Sequence, residues 1–386
     1  MNVLITTSLS ILNTLISSKT SKNSTKTGKE FDDCRLWHDL TAPILQYVTT
    51  LEKEQPNQVL IDFYNLFIGD LEAKINYLKY ARMVVICSRK YMKKEEANEF
   101  LKKISERLRV EREAQLLIEI EMAANLLFMG KLVECGDELI KLKSEIEKFQ
   151  SPDIIIYSEF YKAYALYFDR RRDYEQFYQY ALQYLAYTPE SIIEARDKIE
   201  WSIKMGMAVL LGKTIYNIGE LVEKDILKSL TNTEYIWLYN LLQAMDNAKV
   251  SEFLNAIQEY RPKIEAIPEI KESMEYIHVK IKILALLDLV FRRQKEDRTI
   301  TFSTVAKITE VKEEEVEWLL IKAMSLDLIR GEIDQVDATV KITWVKPRTL
   351  DPQRIQIVRD TIDKWKNKVQ GILKDLEENT KELSKP

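Results

Sequence analysis

Residues 312–347 read KEEEVEWLLIKAMSLDLIRGEIDQVDATVKITWVKP. In the first half Val316, Leu319, Leu320, Ala323 and Met324 recur at helical spacing, the buried face of a helix from about Lys312 to Leu328. The second half changes period. Ile329 to Val336 and Val340 to Val345 read as two strands joined by a turn around Asp337-Ala338. Val340, Ile342 and Trp344 alternate with Lys341 and Thr343, so the first three are expected in the core and the last two outside. Just upstream, Phe302 to Ala306 reads as a short helix with Ser303 as its N-cap. Helix, helix, hairpin is the order of a winged helix. An open hairpin edge offers unpaired backbone groups to another strand. Lys341 and Thr343 are therefore candidate interface positions.

Downstream, Pro347 stops the second strand, and Asp351-Pro352 opens a final helix reaching about Thr380. It carries Ile355, Val358, Ile362, Trp365, Val369, Ile372 and Leu376, at spacings of 3, 4, 3, 4, 3 and 4. Such spacing keeps one stripe on one face, the seam of a coiled coil. Over 351–380 the remaining charges balance to zero. The seam either folds back on this chain or is offered to others. Its place on a terminal helix after a proline favours the second.

Upstream, from Phe31 to about Phe291, apolar residues recur at helical spacing, as in Ile104 and Leu108, then Leu116, Ile120, Ala123 and Leu127. Breaks fall near Gln55-Pro56, Gly130, Ser151-Pro152, Asp169 to Asp173, Thr188-Pro189 and Asn247. Segments of about 12–22 residues between short breaks describe antiparallel helix pairs without a strict repeat. The expected fold is mainly α: a tetratricopeptide-like helical-repeat solenoid, a winged helix and a long C-terminal helix. Its expected parts are a poorly ordered segment 1–30, repeats 31–293, a winged helix 294–348 and a terminal helix with tail 349–386.

Composition agrees. Glycine and proline number 9 each in 386 residues, so helix breakers are scarce. A net charge of −4 argues against a general polyanion binder. Cys34, Cys87 and Cys135 are far apart and odd in number, which suits neither a disulfide framework nor a zinc cluster. With only His38 and His278, most histidine-based sites lack raw material. Residues 1–16 lack the basic start and cleavage site of a signal peptide and read as a terminal helix. No stretch reaches 18 uninterrupted apolar residues, so no membrane span is expected.

Three further patterns have plainer readings. Gly206 to Thr214 approximates a phosphate loop, but five residues separate the glycines and the segment before it is helix-like. Tyr157, Tyr161, Tyr164 and Phe168 suit base stacking, yet their 4-3-4 spacing is that of a helix core, with Arg170 to Arg172 in the turn after it. Glu313 to Glu315 sit at a helix start, where the macrodipole favours carboxylates. A DNA reader would carry cations on its second helix. Residues 312–330 instead carry a net charge of −2.

Helical repeats, a winged helix and a trailing helix together resemble the PCI-domain family, whose members serve the proteasome lid, the COP9 signalosome and a translation initiation complex. Within it, four segments are similar to a lid scaffold subunit: Leu36 to Thr41, Gly212 to Leu221, Ala323 to Val336 and Ile342 to Arg348. The resemblance covers about residues 31–370. Residues 1–30 match no family segment, and the ending Glu-Leu-Ser-Lys-Pro lacks an aromatic-containing tail. The resemblance implies a non-catalytic scaffold of the 26S proteasome lid in cytoplasm and nucleus. Its partners would be other lid subunits, met through winged-helix edges and a bundle of terminal helices. It implies no cofactor, metal, nucleic acid, membrane or small-molecule substrate. The lid's zinc-dependent deubiquitinating motif would belong to another subunit. The alternative is a PCI scaffold of the signalosome or of the initiation complex.

Overall fold

The computed structural model describes residues 75–347 apart from 110, 150, 151, 190 and 294–297, with helix 352–380 and scattered positions between 41 and 65. The expectations for residues 1–30 and for positions 36–40 lie outside the described residues. The chain divides into two compact units, one running to Arg172 and including 179–188, the other comprising 173–178 and everything from Pro189 onward.

The first unit contains α1 (Tyr77–Arg89), α2 (Lys94–Arg107), α3 (Arg112–Phe128), α4 (Leu132–Ile146), α5 (Ile154–Arg171) and the second half of α6 (Tyr174–Tyr187). Helix α3 packs against α1, α2, α4 and α5. Its sequence explains that place: Ala114, Leu116, Leu117, Ile118, Ile120, Ala123 and Leu127 are buried around nearly its whole circumference. Ile104 and Leu108 are buried as well. The charged exception is paired. Glu121 on α3 meets Arg89 of α1 at 2.9 Å, and the same guanidinium reaches Glu159 of α5 at 2.8 Å. Helices end where the sequence breaks. Gly130 (φ 78°) follows α3, and Arg172 (φ 59°) follows α5 in the left-handed region.

The second unit begins with the first half of α6, then α7 (Ala195–Leu211), α8 (Gly219–Val222), α9 (Asp225–Lys228), α10 (Ile236–Asp246), α11 (Val250–Glu259), α12 (Arg261–Glu265), α13 (Pro268–Glu272) and α14 (Met274–Arg292). Between Gly212 and Ser273 the helices are shorter than the 12–22 residues expected. Proline near the start of α12 and of α13 divides what the apolar period suggested was longer. Helix α14 buries Ile277, Ile281, Leu284, Leu287 and Val290, and it packs on α10 and α11 as well as on the elements that follow.

Those elements form the winged helix: β1 (Thr299–Thr301), α15 (Phe302–Thr309), α16 (Glu313–Ser325), β2 (Ile329–Asp334) and β3 (Thr339–Val345). The sheet is antiparallel with order β1-β3-β2. Val316, Leu319, Leu320 and Ala323 are buried as their spacing requires. The N-cap of α15 is Thr301, not the expected Ser303, because β1 runs directly into the helix. The wing turn is made by Asp334, whose Oδ1 accepts from the backbone N–H groups of Val336 and Asp337 at 3.0 and 3.1 Å. The final helix, α17 (Pro352–Thr380), runs over the expected span.

Candidate partner interface

The hairpin places the candidate positions differently from a simple alternating strand. β3 lies in the middle of the sheet, so the outer edges belong to β1 and β2. Lys341 and Thr343 are exposed on the outer face of this central strand. Lys341 pairs with Thr299 on one side and Glu332 on the other. Trp344, expected in the core, is 36% exposed. The reason is a bulge: Arg330 pairs with Trp344 and Gly331 with Ile342, which leaves Thr343 as the extra residue. Its hydroxyl donates to the Arg330 carbonyl at 3.0 Å. A Cβ at position 331 would lie 2.3 Å from the Lys341 carbonyl oxygen, so this crossing requires glycine. Past the bulge the indole turns outward, and the Arg330 guanidinium sits 4.8 Å from its ring centroid. Asp327 holds that guanidinium from the other side at 2.9 Å.

The outward face of α16 carries Glu314, Glu315, Trp318, Ile321 and Ser325. Trp318 and Ile321 are 55% and 52% exposed. Sequence reading attended to the buried stripe and passed over these two, although their spacing from it already placed them outside. An acidic and apolar face of this kind cannot pair with phosphates.

The long seam of α17 is also uncovered. Ile355, Ile362, Trp365, Val369, Ile372 and Leu376 are between 45% and 68% exposed, and Val358 is half-buried. The stripe is thus not folded back onto the described residues of this chain. Leu373, which was not part of the expected seam, is exposed beside Val369 and Ile372 and widens it.

The phosphate-loop segment is built as helix packing. Gly206 lies inside α7, where a Cβ would meet Leu238 Cδ2 at 2.8 Å, and Gly212 ends that helix against Ile215. Among the described residues no group of three His, Cys, Asp or Glu is placed to hold a metal ion. The tyrosines of α5 and α6 stack on one another: Tyr187 lies 5.0 Å from Tyr157 and 5.5 Å from Tyr161. Arg171 is held over Tyr167. No described helix is long and apolar enough to cross a membrane.

One buried cation had no signal in the sequence. Lys280 of α14 is fully buried, and its Nζ donates to the carbonyls of Val209 and Gly212 at 2.5 and 2.6 Å. These carbonyls end α7, so the ammonium caps a helix C-terminus. Tyr216 and Tyr276 present their rings at 5.5 and 5.9 Å. Burial pushes the Lys280 pKa down to about 7, with the Glu175 carboxylate opposing.

Known proteins resemble this chain in sequence. Residues 26–242 match the family model described as PSD13 N-terminal repeats, and residues 257–344 match that of the PCI domain. The 26S proteasome non-ATPase regulatory subunit 13 homolog A of Arabidopsis thaliana is 36% identical over 354 residues, 90% of this chain and 92% of that protein. The 26S proteasome non-ATPase regulatory subunit 13 of Dictyostelium discoideum is 31% identical, covering 92% of each chain. By contrast, the eukaryotic translation initiation factor 3 subunit M of D. discoideum is only 21% identical over a comparable span. Matched by the PSD13 repeat model over more than half of its residues and 31–36% identical to these relatives over 90% or more of its length, the chain belongs to the 26S proteasome non-ATPase regulatory subunit 13 family.

Proposed function

We propose that this chain is a non-catalytic scaffold of the 26S proteasome regulatory-particle lid, acting in cytoplasm and nucleus and supporting ubiquitin-dependent degradation by holding neighbouring subunits in register. The observation that carries the reading is the uncovered seam of α17. Ile355, Val358, Ile362, Trp365, Val369, Ile372 and Leu376 form a stripe that a helix in water gains by covering. Other terminal helices of the assembly cover it in a bundle. A second contact uses the sheet edge of the winged helix. β1 and β2 each have β3 as their one sheet partner among the described strands; β2, with six residues against three, is the longer edge and the one taken for docking, with Lys341 and Thr343 on the adjoining outer face. The proposed division of labour follows the sequence: repeats to 293, winged helix 294–348 and bundle helix from 349.

The test is sedimentation of tagged chains in cell lysate. Deleting residues 351–386 leaves the purified remainder folded, with unchanged helical ellipticity per residue, but shifts it out of the fractions containing the proteasome. Val358→Asp with Trp365→Asp does the same, since a carboxylate buried in the seam is costly. Full co-sedimentation of either altered chain sinks the bundle reading. Co-purification with initiation factors instead of proteasome subunits would favour the alternative.

A further inference from the structure

We propose that α17 pairs with helices whose flanking positions are acidic and rejects a second copy of itself. This rests on the bundle reading above and names the chemistry of the partner. In a 3-4 repeat the residues bordering the seam face the corresponding borders of the neighbouring helix and set partner choice. One border of α17 carries Arg359 and Lys366 and then runs into Leu373; the other carries Lys368 and Asp375. Among the described side chains the borders thus hold three cations and one anion. The compensating carboxylates Asp360, Asp363 and Glu377 lie towards the back, together with Lys364 and Lys374. The balanced charge of the whole helix conceals a basic frame around its apolar stripe.

Arg359 leans on Asp360 at 3.3 Å, but both side chains are more than half exposed. An exposed pair of this kind contributes little, so it does not remove the guanidinium from the border. A second copy meets the same frame. Antiparallel, the Arg359 and Lys366 border would lie along its own counterpart; parallel, it would lie along the border bearing Lys368. The antiparallel alignment that sets Arg359 beside Lys366 of the copy is disfavoured. The parallel one sets Lys368 beside Leu373 and Lys366 beside Thr361, so it offers these cations no carboxylate. A helix with Glu or Asp at its borders gains a pairing that a copy of this chain does not supply. The wide apolar end at Val369, Ile372, Leu373 and Leu376 supplies the burial that charge alone cannot.

The experiment uses the purified full chain and two synthetic peptides of about four heptads with the same Ile/Leu seam, one bordered by Glu and the other by Lys. Fluorescence anisotropy at low salt gives at least about tenfold tighter binding of the Glu-bordered peptide, equivalent to ~1.4 kcal/mol. The preference collapses near 1 M salt, where the screening length is about 3 Å. The triple reversal Arg359→Glu, Lys366→Glu and Lys368→Glu inverts it. Sedimentation equilibrium of the unaltered chain gives a monomer.

Equal binding of both peptides, abolished by Val358→Asp with Trp365→Asp, overturns the charge proposal and leaves the seam reading standing. Binding of neither peptide overturns the proposal, and the bundle reading falls with it only if deletion of 351–386 also leaves co-sedimentation intact. A dimer of the purified chain that Trp365→Asp dissociates also overturns the proposal.

Discussion

Replacing Lys280 with methionine tests whether a buried amine ties α14 to the end of α7. The new side chain has similar length and no donor, so the Val209 carbonyl, accepting from Nζ at 2.5 Å, loses that bond. The Gly212 carbonyl loses its bond at 2.6 Å and retains only a long contact from the Tyr276 hydroxyl at 3.5 Å. A buried acceptor left unsatisfied costs about 1–3 kcal/mol. Methionine recovers part of this, because a charged group no longer has to be desolvated. The net expectation near pH 7 is a loss of about 2–4 kcal/mol. The pH dependence carries a sign. With its pKa pushed down to about 7 in the folded chain, Lys280 releases its proton well before the same residue does in the unfolded chain. Between about pH 7 and pH 10.4 the unfolded state binds more protons, so wild-type stability rises with pH relative to the variant. Each unit of depression corresponds to about 1.36 kcal/mol. The folded pKa of about 7 already includes the opposing help of the two carbonyls and the faces of Tyr216 and Tyr276. The expected widening is therefore about 3–4 kcal/mol by pH 10. Urea unfolding of both chains at pH 7, 8, 9 and about 10, followed by far-UV ellipticity and tryptophan fluorescence, measures the gap. A gap that stays constant with pH refutes the depressed amine, and a Lys280→Met variant as stable as wild type refutes the capping role.

Gly331→Ala drives a methyl against the Lys341 carbonyl oxygen at 2.3 Å and breaks the bulge, so the winged helix loses about 1–3 kcal/mol; an unchanged melting curve for this region, followed by hydrogen exchange of β2 and β3, counts against it. Trp344→Ala removes a half-exposed indole and its Arg330 contact, so it costs about 1–2 kcal/mol and not the 3–5 of a buried tryptophan; a loss above about 3 kcal/mol in urea unfolding returns the indole to the core.

How far the sequence could be read depended on whether the relevant signal was periodic. The stripe Leu116, Ile120, Ala123, Leu127 is buried as its spacing demanded, and the seam of α17 lies on one helix spanning the expected residues. A helix averages its pattern over many turns, so one exception does not displace it. Strand alternation has no such redundancy. A single inserted residue at Thr343 turned Trp344 outward, and the available warning was a glycine inside a strand, Gly331, which marks bulges and close backbone approach. The three-residue β1 was too short to have a period. Lys280 was illegible for another reason: a lysine on a helix ordinarily points to water, and only the helix end it meets 68 residues away makes its burial tolerable. The position of β3 at the centre of the sheet likewise depended on a pairing with β1 that no local pattern announces.

The winged helix shows why these surfaces, and not the fold, carry the functional argument. Its second helix sits where a DNA reader would place Arg, Lys, Asn or Gln, yet the exposed positions here are Glu314, Glu315, Trp318 and Ile321. Phosphates are repelled by the first two and gain nothing from the others. A protein partner gains from all four, because an apolar pair framed by carboxylates can be covered and its rim charges matched. The terminal helix inverts the sign, with Arg359, Lys366 and Lys368 framing its apolar stripe. On the proposed reading, a chain that presents one acidic and one basic frame, each around exposed tryptophan, holds two different neighbours without confusing them. Like-charge contacts would penalise exchange of the partners while apolar burial supplies the affinity. For a subunit proposed to keep others in place, that division of specificity and affinity would do what a catalytic site does in an enzyme: it would select the right molecule and fix its orientation.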